Sequence, residues 1–382
     1  MDKLIYFDNA ATTFPKPDEV YRAVQKCIEE YCGNPGRSGH RLSLESARTV
    51  YRCRESLCSL FGLREPENVI FTLNTTYALN IAISSVAKKE DHVLISNIEH
   101  NSVIRPLVKS GCKYSVFNCF APREKVMADI VSKITPKTRL IICSHQSNVS
   151  PLKNHIREIG KLARKRGITF IVDAAQSAGI YDINIERDNI DILCVPSHKG
   201  LYGIQGCGAL LFSSRYKGNA AAELIPLISG GNGVNSLEET MPPLLPERLE
   251  AGTLPTPAIA GLEAGISTIR EIGIETVREH EDMLYRRLRE RLINDRRIIV
   301  YCKEFAHSNI LLFNVKERSS IEITEELDRE GICVRGGFHC SPLAHNLLNT
   351  GENGAVRVSF GAFNTLEEVD VFCNKLNGII KS

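Results

Sequence analysis

Short runs rich in β-branched residues alternate with helical patterns from about residue 17 to residue 212, and few folds accommodate that alternation. The runs are Val69–Thr72, Val93–Ser96, Leu140–Ser144, Ile168–Val172, Asp191–Val195 and Ala209–Phe212. Helical periodicity is clear in residues 17–32, where Val20, Ala23, Val24, Cys27, Ile28 and Tyr31 form an i, i+3, i+4, i+7 stripe. Strands separated by helices pack as a largely parallel sheet with helices on both faces. Gly230-Gly231-Asn232-Gly233 and Met241-Pro242-Pro243 then mark an irregular stretch. Two long helical patterns follow, about 257–271 and 275–293. Strand and helix alternate again at Ile310–Val315, Ile321–Arg329, Val356–Phe360 and Leu366–Leu376. The expected fold is α/β: a large domain with a mostly parallel sheet, and a smaller α/β domain at the C-terminal end.

The 382 residues leave room for two or three domains. A net charge of +2 gives no global field for direct nucleic-acid binding or for an anionic membrane. The first residues lack the apolar core of a signal peptide, and no apolar run approaches the length of a membrane span. Thirteen cysteines are scattered without a C-x-x-C pair, which reads neither as a disulfide framework nor as a metal site. Most are expected to be small buried hydrophobes in a reducing cytoplasm.

Two strands carry the chemistry. Ile168–Val172 ends on Asp173, within Val172-Asp173-Ala174-Ala175-Gln176. Asp191–Val195 ends on Pro196-Ser197-His198-Lys199-Gly200. An acid and a lysine thus lie just past the carboxyl ends of successive strands, where open α/β sheets bind ligands. One chemistry needs this pair. A lysine forms a Schiff base with pyridoxal 5'-phosphate (PLP), while an aspartate keeps the pyridine nitrogen protonated so that the ring is an electron sink. Taken singly, Lys199 is equally a surface lysine and Asp173 a helix N-cap; the pairing favours the functional reading. The glycines at 200, 203, 206 and 208 run into a strand, not a helix, so a dinucleotide loop fails on context.

Weaker signals surround the pair. Asn74-Thr75-Thr76 opens a helix after a strand, a ready phosphate cradle or a plain N-cap. Glu99-His100-Asn101 follows another strand, where His100 is placed to stack on a flat ring. Arg335-Gly336-Gly337-Phe338-His339-Cys340 is a glycine-rich loop that sets a cysteine beside basic residues, which favours a thiolate. An inward Arg357 suits bidentate capture of a carboxylate.

Together these segments resemble the class V aminotransferase-type PLP enzymes. The resemblance rests on Tyr6-Phe7-Asp8-Asn9-Ala10-Ala11-Thr12, Thr75-Thr76, Glu99-His100, Ser147-Asn148-Val149-Ser150, Asp173-Ala174-Ala175-Gln176, His198-Lys199 and Glu250-Ala251-Gly252-Thr253, in the family's order. Arg335 through Cys340 is similar to the R-x-G-x-H-C loop of Suf-type cysteine desulfurases and selenocysteine lyases. The resemblance implies the PLP-dependent transferase fold type I, with a large domain over 16–256 and a small one over 1–15 and 257–382. It implies that Lys199 holds PLP and moves the Cα proton, that Asp173 meets the pyridine nitrogen, and that Gln176 reaches the ring hydroxyl. His100 would stack on the ring and shuttle the thiol proton. Thr75, Thr76, His198 and Ser197 would hold the phosphate. Thr253 would reach the partner's phosphate, which implies a homodimer. Asn148 and Arg357, with Arg335 nearby, would bind the substrate carboxylate. No metal is implied.

The implied reaction converts L-cysteine to L-alanine. Cys340 takes the sulfur as a persulfide and passes it to an acceptor, which could be a carrier protein, a tRNA-modifying enzyme or an iron–sulfur cluster scaffold. Selenocysteine lyase activity uses the same site. So does another class V transamination or elimination, in which Cys340 is incidental; a PLP-free scaffold is the reading from a different class. One position departs from the family. Ser or Thr is common three residues before the lysine, and here that place is Pro196, which predicts weaker PLP retention.

Overall fold

The structure, a computed structural model, describes residues 4–36, 38–216 and 218–381. A short strand, β1 (Ile5–Tyr6), pairs with a distant segment. Seven strands then build the main sheet: β2 (Val69–Thr72), β3 (His92–Ser96), β4 (Lys113–Phe117), β5 (Thr138–Ser144), β6 (Thr169–Asp173), β7 (Ile192–Pro196) and β8 (Gly208–Phe212). Their spatial order is β2-β8-β7-β6-β5-β3-β4. Strands β3 through β7 run parallel, and β8 runs antiparallel to both of its neighbours.

Period-2 alternation explains why this sheet is buried on both faces. Leu94, Ile141, Phe170, Val172 and Leu193 point into one core, against the helices Arg41–Phe61, Ile156–Arg166 and Thr256–Ile272. Their neighbours Val93, Ile95, Ile142, Ile171 and Ile192 point into a second core, against Thr75–Val86 and Asn101–Ser110. Each aliphatic side chain so buried contributes about 1.5–3 kcal/mol. The result is the helix–sheet–helix sandwich that the alternation predicts.

A third core lies under the C-terminal elements. The strands β9 (Ile298–Val300), β10 (Ile310–Val315), β11 (Ile332–Cys333) and β12 (Val356–Ser359) follow the long helix Ile274–Leu292. β10 pairs antiparallel with β9 and β12, and β1 pairs parallel with β11. Ile5 and Phe7 therefore pack with Leu311, Phe313, Val358 and Phe372, although about 300 residues or more separate them in sequence.

Three elements carry no clear sequence signal. β4 is an edge strand with its first residues exposed, so it lacks the continuous apolar run of its neighbours. The helix Arg41–Phe61 buries Ser43, Ser46, Thr49 and Arg54 beside its aliphatics, which blurs its stripe. β9 is three residues long and has no buried residue. The helix expected over 17–32 is α-helical only to Lys26, and Cys27–Tyr31 continues as a single wider π turn.

Candidate active site

The carboxyl ends of the parallel strands converge on one cleft of about 310 Å³. β6 delivers Asp173 to it, and β7 delivers Pro196, His198 and Lys199. Ser144 and Asn148 arrive from β5, and His100 arrives from β3. The small domain closes the other wall with Arg335, His339, Cys340 and Arg357. Residues about 140 positions apart in sequence, Lys199 and Cys340, thus line one space.

Asp173 is buried and Lys199 half-buried, and neither has its ordinary acidity. Burial raises the Asp173 carboxyl, opposed by the Ala175 N–H, which donates to Oδ1 at 2.9 Å, and by Lys199. Burial lowers the Lys199 amine to about 8; Asp173 opposes the shift, and the guanidinium groups of Arg357 and Arg335 add to it. An amine held near 8 is a far better nucleophile at neutral pH than a surface lysine. Gln176 Nε2 donates to the Ala10 carbonyl at 3.0 Å, which ties the cleft floor to the N-terminal segment.

The other end of the cleft is built for an anion. Asn74 caps the helix Thr75–Val86 by accepting the Tyr77 N–H at 3.1 Å, so this helix start faces the cleft. Gly208 permits the approach, since a Cβ there would lie 2.9 Å from the Asn74 carbonyl carbon. Thr75 Oγ1 and His198 Nδ1 are buried polar atoms without a partner among the described residues. Burial, aided by Lys199 and Lys16, lowers His198 to about 4, so its ring is neutral at pH 7. Orphaned polar atoms beside a helix N-terminus fit the phosphate of PLP, and the Asp173–Lys199 pair fits its ring and aldehyde.

His100 has a defined tautomer. Its Nδ1 accepts the Ser102 N–H at 3.1 Å and lies 2.8 Å from Ser102 Oγ, which in turn lies 2.8 Å from Thr76 Oγ1. The ring hydrogen is therefore on Nε2. Burial, then Lys199 and three arginines, lowers its pKa to about 4. The resting ring is a donor, not an imidazolium.

Arg357 is almost fully buried on β12. It donates to Asp8 Oδ1 at 2.5 Å and to the Asn148 carbonyl at 3.0 Å, and its Nε has no partner among the described residues. Its counter-ion, Asp8, sits in the segment Tyr6 to Thr12, yet no local pattern marks it as an arginine partner.

One expected phosphate ligand of this cleft lies elsewhere. Ser197 does not line the cleft: its N–H still pairs with Cys207 across to β8, so the pleat continues and turns its side chain away from Pro196 and His198. Its hydroxyl lies 2.1 Å from where a Cβ on Gly203 would be. Thr253 is exposed and outside its own chain's cleft, where it accepts from Asn34 Nδ2 at 3.3 Å. His339 also lines the cleft. Both of its ring nitrogens are engaged, with Arg335 O and with His345, and burial lowers its pKa to about 2.

The aminotransferase class-V family model matches residues 5–372, and the chain belongs to that family of PLP-dependent enzymes, which adopts the type I fold. Within it, the similarity runs to cysteine desulfurases. A "probable cysteine desulfurase" of Methanothermobacter thermautotrophicus is 32% identical over 383 residues, 98% of this chain and 94% of that one. One from Pyrococcus abyssi is 32% identical over 392 residues, 100% and 95% of the two chains. Among solved structures, the apo cysteine desulfurase of Thermococcus onnurineus NA1 superposes with a TM-score of 0.88 at 29% identity, covering 99% of this chain and 95% of that one.

Proposed function

We infer that the protein is a PLP-dependent cysteine desulfurase that converts L-cysteine and the Cys340 thiol to L-alanine and a Cys340 persulfide. The observation that carries this reading is the meeting of Lys199 and Cys340 in one cleft, between a buried Asp173 and a buried Arg357. Bound PLP supplies an electron sink for negative charge at the substrate Cα, which activates the carbon–sulfur bond. Lys199 anchors the cofactor and moves the Cα proton, Asp173 pairs with the pyridine nitrogen, and Gln176 serves the ring hydroxyl. Thr75, Thr76 and His198 hold the phosphate. Arg357 and Asn148, with Arg335 at the rim, orient the substrate carboxylate. His100 gives a proton from Nε2 and takes one at Nδ1 through Ser102, a relay that avoids the disfavoured imidazolium. The Cys340 thiolate attacks the substrate sulfur. The new S–S bond forms as the C–S bond breaks, and the electron pair left on carbon is protonated, giving alanine.

The finer expectations belong to the same reading. The large domain is 16–256 and the small domain 1–15 with 257–382; the helix Thr256–Ile272, which packs on the large core, bridges the two. The active unit is a homodimer in which Thr253 serves the partner's site. Its exposure, and the exposed apolar Ile225, Ile228, Val234 and Leu237, support an interface there. Cys340 is exposed, which suits delivery of the persulfide to a sulfur-acceptor protein, for instance one that assembles iron–sulfur clusters. All thirteen cysteines are free thiols, which suits a reducing cytoplasm, and no helix among the described residues is long and apolar enough to cross a membrane.

Incubation of the PLP-loaded enzyme with L-cysteine tests the reading. Alanine should appear, and mass spectrometry should find one added sulfur on the Cys340 peptide. Unchanged alanine production by Cys340→Ala would sink the persulfide step.

A further inference from the structure

We propose that Ser341 is a positioning residue that latches the Cys340 loop through Asn148, and that a substrate carboxylate arriving at Arg357 and Asn148 releases the latch. The inference rests on the desulfurase reading and concerns when Cys340 is free to move.

The loop is held on both sides of the cysteine. Asn148 Nδ2 donates to the His339 carbonyl at 2.8 Å, and Ser341 Oγ donates to Asn148 Oδ1. Between these bonds, the Asn101 N–H donates to the Cys340 carbonyl at 2.8 Å. The His339 ring pins the near end. Its Nε2–H must be the donor to Arg335 O at 3.0 Å, which leaves Nδ1 to accept from His345 Nε2 at 3.2 Å. His345 Nδ1 then accepts from Thr350 Oγ1 at 2.8 Å.

Two features show that this arrangement is held in place by its bonds. His339 and Cys340 both have left-handed backbones, with φ of 51° and 56°. Consecutive non-glycine residues in that region persist only where surrounding contacts over-determine them. Ser341 also occupies the N-cap of the helix Pro342–Leu348, where a serine hydroxyl ordinarily bonds the helix's own N–H groups. Here it makes no cap bond and reaches across to Asn148 instead.

Asn148 belongs to both ends of the mechanism. Its carbonyl accepts from Arg357 Nη1 at 3.0 Å, while its side-chain amide holds the loop. A carboxylate between Arg357 and Asn148 competes for the amide N–H that now goes to His339 O. Turning that amide toward the substrate breaks its bond to Ser341, and the strained loop relaxes. Cys340 is thus held back until an amino acid is in place.

The test uses the PLP-loaded enzyme and iodoacetamide, with Cys340 alkylation read by mass spectrometry. L-alanine serves as the probe, since it carries the carboxylate and amine but no thiol. In wild type, L-alanine should speed Cys340 alkylation about three- to tenfold, the factor set by one net hydrogen bond. Ser341→Ala should show the faster rate without L-alanine and little further gain with it. Ser341→Thr, which keeps the hydroxyl, should restore the dependence. Buried Cys143 must stay unlabelled in each variant, which reports an intact fold. A wild-type rate that L-alanine leaves unchanged or slows overturns the latch, and so does a Ser341→Ala rate equal to wild type. The visible spectrum of bound PLP reports L-alanine binding separately. Alanine release from L-cysteine reports the desulfurase reading separately, so the two failures leave different records.

Discussion

The Lys199 amine makes a quantitative prediction about the cofactor-free enzyme. Burial lowers it from an ordinary 10.5 to about 8, with Asp173 as the largest opposing charge. A shift of that size corresponds to about 3 kcal/mol of folding free energy. The sign follows from linkage. The folded-state value lies below the unfolded one, so between about pH 8 and 10.5 the unfolded chain binds more protons and stability rises with pH. Below pH 8 the amine is charged in both states and the penalty is present in full. Lys199→Met keeps the shape of the chain and removes the charge. Urea denaturation of both cofactor-free proteins across pH 7 to 10.5 gives the comparison, because the titrations of groups that do not face Lys199 are common to the pair. At pH 7 the variant should be the more stable by about 3 kcal/mol, before any packing cost of the thioether, and wild type should regain that amount by pH 10.5. A difference that stays flat across the window would refute the claim that the amine is held in a low-dielectric site. Loss of PLP absorbance in the same variant checks the anchor role independently.

Arg357→Met should lower kcat/KM for L-cysteine about 10- to 100-fold while leaving PLP absorbance intact, the range for losing a charged hydrogen-bond pair to a carboxylate; steady-state kinetics decides it. Pro196→Thr places a hydroxyl at the cleft-lining end of β7 and should slow PLP loss on dialysis about three- to tenfold. Unchanged retention would mean that the helix start, Thr75 and His198 already satisfy the phosphate. Arg54→Met leaves Glu250 buried without the guanidinium that now donates to both its oxygens, at 3.0 and 2.7 Å. It should cost about 3–5 kcal/mol in urea denaturation, because a buried charge loses its partner.

The legible part of this molecule is the part governed by short-range periodicity. All six strands read from β-branched runs fall within two residues of their bounds, because a sheet buried on both faces must be apolar at nearly every position. Once that sheet is accepted, Asp173 and Lys199 lie at its carboxyl edge by necessity. Cys340 and Arg357 had no such warrant. Their place at the site came from resemblance, since β12 meets the large sheet's edge only through the tertiary fold. Asp8 was harder still. It joins the site because β1 runs beside β11 and Asp8 bridges to Ser359, which brings its carboxylate to a guanidinium 349 residues away. No local pattern encodes a partner at that distance. Ser197 shows the opposite limit. The strand lies within one residue of its apolar run, but at a strand end one residue of register decides whether a hydroxyl meets the cleft or Gly203. Ser341 combines both difficulties: as a serine before a proline-started helix it reads as an N-cap, and only the position of Asn148 gives its hydroxyl a different acceptor. Long-range polar pairing is what periodicity leaves unread, and in this cleft that pairing sets both the charge on Arg357 and the posture of Cys340.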